Sequence, residues 1–137
     1  MERRAHLSIE LPASAEVVAA TVSDLAKLEK LHPLLRSIQL ESEVDGARTW
    51  RCEDRIFGVK LVYFTEQRID PGGLSWRSVV RQSGLLLTNV CTVTPTEKGS
   101  RLDEHMTFEG PALQVLFGES VGVRAHRKLF AAIAKSF

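Results

Sequence analysis

Little in this chain points to metal, redox or membrane chemistry. It has only two cysteines, Cys52 and Cys91, and they do not form a C-x-x-C pair. That spacing suggests neither a metal site nor a disulfide framework. Two reduced thiols in a cytosolic protein are the simplest reading. No run of about 18 apolar residues exists, so no helix is expected to span a membrane. The first residues, Met1-Glu-Arg-Arg-Ala-His-Leu7, lack the apolar core of a signal peptide. A net charge of +1 gives no whole-chain electrostatic case for nucleic acid. There is no G-x-G-x-x-G, Walker loop or G-x-S-x-G. His6, His32, His105 and His126 are scattered, so neither a metal nor a cofactor is expected. Repeats, low-complexity segments and linkers are absent too.

What is present is an ordinary globular composition. Apolar residues make up 44% and charged residues 26%. The 137 residues suit one domain, 1–137, that buries about two thirds of its unfolded surface.

Residues 3–11 alternate, with Ala5, Leu7, Ile9 and Leu11 against Arg4, His6, Ser8 and Glu10, which predicts a half-buried strand ended by Pro12. Ser14 is a candidate cap for a helix running to about Ser23. Asp24 can cap a second helix, Leu25 to Leu31, which Pro33 stops. From about Arg36 the period becomes two. Turn signals recur about every dozen residues, the rhythm of an antiparallel meander. The six strands fall at roughly 36–44, 47–56, 59–69, 74–81, 85–95 and 100–109. Charge predicts the faces, with Asp54, Tyr63, Gln67, Ser78, Asn89 and Glu104 among the apolar residues turned inward. Val62 and Phe64 fall on the charged side, as plain surface apolars or as part of a homodimer contact.

Pro111 to Phe137 then reads as one helix, roughly 37 Å long. Leu116, Glu119, Val123, His126, Phe130, Ile133 and Phe137 share one side of it, opposite Arg124, Arg127, Lys128 and Lys135. The half from Leu113 to Gly122 is apolar all round and fits a cavity lid. Gly118 and Gly122 leave room there for a close approach. The expected fold is α+β, with a seven-stranded antiparallel sheet covered on its concave face by the long helix.

This order and several local patterns resemble the START-like (SRPBCC) superfamily with the helix-grip fold, which includes polyketide cyclases and dehydrases. Leu11-Pro-Ala-Ser-Ala-Glu-Val-Val18 looks like that family's entry into its first helix, although Val18 stands where an aromatic is frequent. Val22-Ser-Asp-Leu25 with His32-Pro33 looks like its inter-helix segment. Arg68-Ile-Asp-Pro71 and Thr94-Pro-Thr-Glu-Lys-Gly-Ser-Arg-Leu102 resemble two of its hairpins. The resemblance covers the whole chain. It implies a curved sheet, two short helices after the first strand, and a deep cavity under the long helix for an apolar or amphipathic small molecule. These motifs are turn and packing signals, and they carry no catalytic role with them.

Candidate site residues follow from the inward faces. Glu119 and His126 lie two turns apart on one helix face. They are either polar groups in a cavity, or a solvent-reaching carboxylate and a histidine bonded to backbone. Asp54, Asn89 and Glu104 are either ligand anchors or members of salt bridges. Trp50, Tyr63 and Trp76 form an aromatic wall or ordinary core. Cys52, Cys91, Met106, Leu116 and Val123 complete the expected lining. The cysteines would lie on non-neighbouring strands, so no disulfide is expected. The leading functional reading is a binding protein for a hydrophobic or amphipathic molecule such as a lipid, quinone or polyketide. The alternative is a cyclase or dehydratase using Glu104, Glu119 or His126.

Overall fold

The computed structural model describes residues 1–137. Strand β1 (Glu2–Leu11) is followed by helices α1 (Ala15–Val22) and α2 (Leu25–Leu28). Six strands come next: β2 (Leu35–Val44), β3 (Ala47–Ile56), β4 (Val59–Ile69), β5 (Ser75–Gln82), β6 (Leu85–Thr96) and β7 (Gly99–Glu109). Helix α3 (Ala112–Ser136) ends the chain. The strands form one antiparallel sheet in the order β1-β7-β6-β5-β4-β3-β2, so the first strand closes onto the last. No helix is long and apolar enough to cross a membrane.

Local chemistry accounts for the elements. The Ser14 hydroxyl accepts from the Val17 N–H, and the Asp24 carboxylate from the Ala26 N–H, each satisfying a helix-start donor. α2 is shorter than the expected Leu25–Leu31. Its last turn winds off as Leu31 and His32 both donate to the Leu28 carbonyl, because Pro33 bars helical geometry at His32. The hairpin tips Asp45-Gly46, Phe57-Gly58 and Ser83-Gly84 each place two consecutive residues at positive φ. That geometry matches the twist of tight two-residue hairpins.

The alternation read from charge is the one present. On β7, Leu102, Glu104, Met106 and Phe108 are buried; on β3, Trp50, Cys52 and Asp54 are. The main core joins α1 and the C-terminal half of α3 to the sheet, through Val18, Val22, Trp76, Val93, Leu102, Leu129 and Ile133. A smaller cluster sets Val115 of α3 against Met106 and Phe108, with Ala5, Leu7 and Val123 alongside. This second cluster fixes the rotation of α3, which lies against β1, β7 and β6 rather than over the middle of the sheet. Space is thereby left between α3 and the strands from β3 to β6.

Trp50, expected in the cavity wall, is instead tied to the core. Its indole N–H donates to Gln67 Oε1 at 2.9 Å, and Gln67 Nε2 donates to the Ser23 carbonyl at 2.8 Å. Gln67 therefore links β3, β4 and the α1 end through buried polar groups. Gln67→Ala orphans the buried indole N–H and leaves the Ser23 carbonyl only its 3.5 Å bond from Arg48 Nη1, and urea unfolding should record a loss of about 2 kcal/mol.

Candidate functional site

The space under α3 is a cavity of about 310 Å³, bounded by 34 residues of which 22 are hydrophobic. Ligand cavities start at about 300 Å³ and are mostly apolar with a few placed polar groups. The sheet supplies Cys52 and Asp54 from β3, Tyr63 from β4, Trp76 and Ser78 from β5, Asn89 and Cys91 from β6, and Glu104 from β7. Helix α3 supplies Phe117, Val121, Ala125, His126 and Leu129. Gly118 and Gly122 allow the helix to approach. A Cβ at Gly118 would stand 2.6 Å from Leu85 Cδ2, and one at Gly122 would stand 3.4 Å from Phe108 Cε1. The room these glycines leave is thus filled by two side chains that themselves line the cavity.

Two polar groupings interrupt the apolar wall. In the first, His126 Nδ1 donates to Glu104 Oε1 at 2.6 Å, with the side chains 17% and 6% exposed. The Cys91 thiol donates to the other carboxylate oxygen at 3.7 Å. His32 packs edge-on to His126 with ring centroids 5.5 Å apart. In the second, the Tyr63 hydroxyl reaches both carboxylate oxygens of Asp54, at 3.0 and 3.1 Å. Asn89 stands cross-strand from Ser78, and its Oδ1 is buried without a partner.

Burial and partnership set the charges. Burial opposes a charged His126, but the charge and hydrogen bond of Glu104, with the charge of Asp54, outweigh it and raise the His126 pKa. His32 has no such carboxylate. Burial, with the neighbouring His126 charge, lowers its pKa to about 3 and keeps it neutral. Its Nδ1 accepts from the Leu34 N–H, which leaves the proton on Nε2. Burial raises the Asp54 pKa against the opposing Tyr63 hydrogen bond and His126 charge. Burial also pushes the Cys52 thiol up to about 11 and the Cys91 thiol well above its ordinary value. Neither cysteine is an activated nucleophile.

Compared with known families, residues 2–137 match the model of the polyketide cyclase / dehydrase and lipid transport family. The chain belongs to that family. No curated protein matches it in sequence. Solved structures share the family's helix-grip architecture. The Zhui aromatase/cyclase from Streptomyces sp. R1128 has a TM-score of 0.87 at 12% identity, over 99% of this chain and 93% of that one. A START superfamily protein from Mycobacterium smegmatis has a TM-score of 0.78 at 15% identity, over 97% of each chain. TTHA0849 from Thermus thermophilus has a TM-score of 0.78 at 19% identity, over 98% of this chain and 95% of that one. At these identities the likeness is one of fold.

Within this member of the family, the cavity brings together Cys52, Asp54, Tyr63, Trp76, Asn89, Cys91, Glu104 and His126. Trp50, Met106, Leu116, Glu119 and Val123 stand outside it, and the seat of α3 is the reason for four of the five. Because the helix leans on β1 and β7, its Val115–Glu119–Val123 ridge faces those strands. Met106 is packed beneath Val115, and Glu119 pairs with Arg3 Nε at 3.0 Å. Leu116 is turned outward and is 45% exposed. The cavity side of the helix is instead the ridge through Gly118, Gly122, Ala125 and Leu129. His126 lies at the border of the expected and observed faces. His32 went unrecognised as a site residue. Its signal was a histidine inside the apolar stretch Leu31-His32-Pro33-Leu34-Leu35, which read only as a helix stop.

Proposed function

We propose that the chain binds a hydrophobic or amphipathic small molecule, such as a lipid, quinone or polyketide-like compound, in the cavity beneath α3. One observation carries this reading: a predominantly apolar cavity whose carboxylates are both held by other lining groups, Asp54 by Tyr63 and Glu104 by His126. An apolar body gains from leaving water there, at roughly 25 cal/mol per Å² of surface buried. Asn89 Oδ1 adds an unmet acceptor, a cost that a hydroxyl or amide donor on the ligand can remove. The family's description, polyketide cyclase / dehydrase and lipid transport, is consistent with a polyketide or lipid guest. Two unpaired buried thiols suit a reducing compartment, which favours the cytoplasm.

The test is native mass spectrometry of the purified protein, followed by thermal unfolding against a library of apolar compounds. A ligand at a hundred times its Kd should raise the melting temperature by on the order of 10 °C. A protein that retains no small molecule, and that no library member stabilises, would rule this function out.

A second reading has its own support. The buried carboxylate holding a histidine through Nδ1 is the arrangement that orients a general base, leaving Nε2 to exchange protons. A cyclase or dehydratase activity would then rest on His126, with Glu104 as its positioning partner. Glu119 has no part in it, being engaged by Arg3 outside the cavity.

A further inference from the structure

The outward face of α3 changes character along its length. Leu113, Leu116 and Phe117 occupy its first turns and are 81%, 45% and 52% exposed. Two to three turns further, the same face carries Arg124, Arg127 and Lys128, all exposed and none in an ion pair. Positions three and four apart stack on one side of a helix, so these residues, joined through the exposed Ser120, form one strip, apolar at one end and cationic at the other. Arg3 and Arg4 of β1 border the cationic end.

A separate element meets the apolar end. The β3–β4 hairpin tip carries Phe57, 87% exposed, whose ring centroid is 6.4 Å from that of Phe117. Phe57 is held at φ 51. A bulky side chain at positive φ is strained, and with the ring 87% exposed its contact with Phe117 is the one aromatic contact it makes. The exposed Val59 and Arg55 flank the tip. Phe117 lines the cavity, as do Gln82, Ser83 and Leu85 at the neighbouring β5–β6 turn, so the apolar cluster sits at a rim of that cavity.

We propose that this strip docks the protein on an anionic lipid bilayer, with Phe57, Leu113, Leu116 and Phe117 entering the acyl–headgroup boundary and Arg124, Arg127 and Lys128 lying among the phosphates. The pairing of apolar insertion with flanking cations is the physical basis of interfacial binding. A second copy of the chain fits the strip less well. An antiparallel two-fold contact would set the leucines against the partner's cations, and a parallel one would set cations against cations. An acidic protein would answer the cations but not Phe57. The docking is independent of what the cavity holds, although it places a rim of the cavity against the bilayer.

Vesicle flotation tests it, with phosphatidylcholine vesicles and with phosphatidylcholine–phosphatidylglycerol vesicles. The wild-type chain should float with the mixed vesicles, less with the neutral ones, and less again at high salt. Arg124→Glu/Arg127→Glu/Lys128→Glu should weaken binding to the mixed vesicles by about a hundredfold or more, from about one kcal/mol per charge. Phe57→Ser/Leu113→Ser, neither residue lining the cavity, should weaken binding to both vesicle types by about tenfold or more. Circular dichroism and melting temperature verify that each variant is folded. The proposal falls if the wild type floats with neither vesicle type, if either folded variant floats as well as wild type, or if solution mass shows the strip buried in a dimer. Retention of a small molecule in native mass spectrometry is read separately, so a failure of docking and a failure of cavity binding are told apart.

Discussion

Replacing His126 by leucine should lower stability at pH 7 by about 3–5 kcal/mol. Glu104 is 4% exposed, and its carboxylate faces only the His126 ring and the Cys91 thiol. Removing the histidine leaves a buried carboxylate that must either stay unpaired or take up a proton, and both are costly. The double variant Glu104→Leu/His126→Leu has no stranded charge and two more apolar groups, so it should recover most of the loss. Urea unfolding of the two single variants and the double gives the coupling energy directly. Additive single and double effects would show that the 2.6 Å contact is not an energetic pair. The pH profile supplies a second check. The folded-state pKa of His126 is raised above 6.5, so its contribution is complete below that pH and fades as pH rises through the raised value. The stability gap between wild type and His126→Leu should therefore narrow on the alkaline side.

Acid should destabilise the fold earlier than its carboxylates alone require. His32 titrates near 6.5 when unfolded but only at about 3 when folded. Its neutral form stabilises the fold above pH 6.5, and that contribution is lost progressively as pH falls toward 3. The full window amounts to about 4–5 kcal/mol, at 1.36 kcal/mol per unit of pKa difference. His32→Asn keeps an acceptor for the Leu34 N–H and removes the titration, so its stability should stay nearly flat from pH 6.5 to about 4 while wild type declines. Asp103 cannot mimic this signal. The hydrogen bonds from Arg101, His6 and Ser8 overcome its desolvation and hold its pKa near 2, so its loss occurs only below 3.8. Parallel acid limbs in wild type and His32→Asn would sink the assignment.

The two predictions concern residues that sequence reasoning treated unequally. Glu104 and His126 were legible because each interrupts an apolar face: Glu104 between Leu102 and Met106 on a strand, His126 on a helical stripe. Their mutual bond was not legible. The residues belong to different elements, and only the seating of α3 brings them to 2.6 Å. His32 had no periodic frame at all. It lies between α2 and β2, where neither the 3.6 nor the 2.0 period assigns a face. Trp50 shows the converse. Its strand face was legible, but facing inward did not mean facing the cavity, because Gln67 claims its indole.

From the order of residues alone follow the element sequence, the strand faces, the helix caps and the tight hairpins. Each depends on local chemistry: period-two alternation, hydroxyl and carboxylate caps, glycine at positive φ. The family follows as well, because its turn and packing patterns are local. Tertiary structure alone decided which side of α3 faces the cavity. A long helix with apolar residues all round its first half has no intrinsic preferred rotation. Val115 settling against Met106 and Phe108, with Arg3 holding Glu119, sets that rotation. The same seating removes Glu119 from the cavity, delivers His126 to Glu104, and leaves Leu113 and Phe117 facing out beside Phe57.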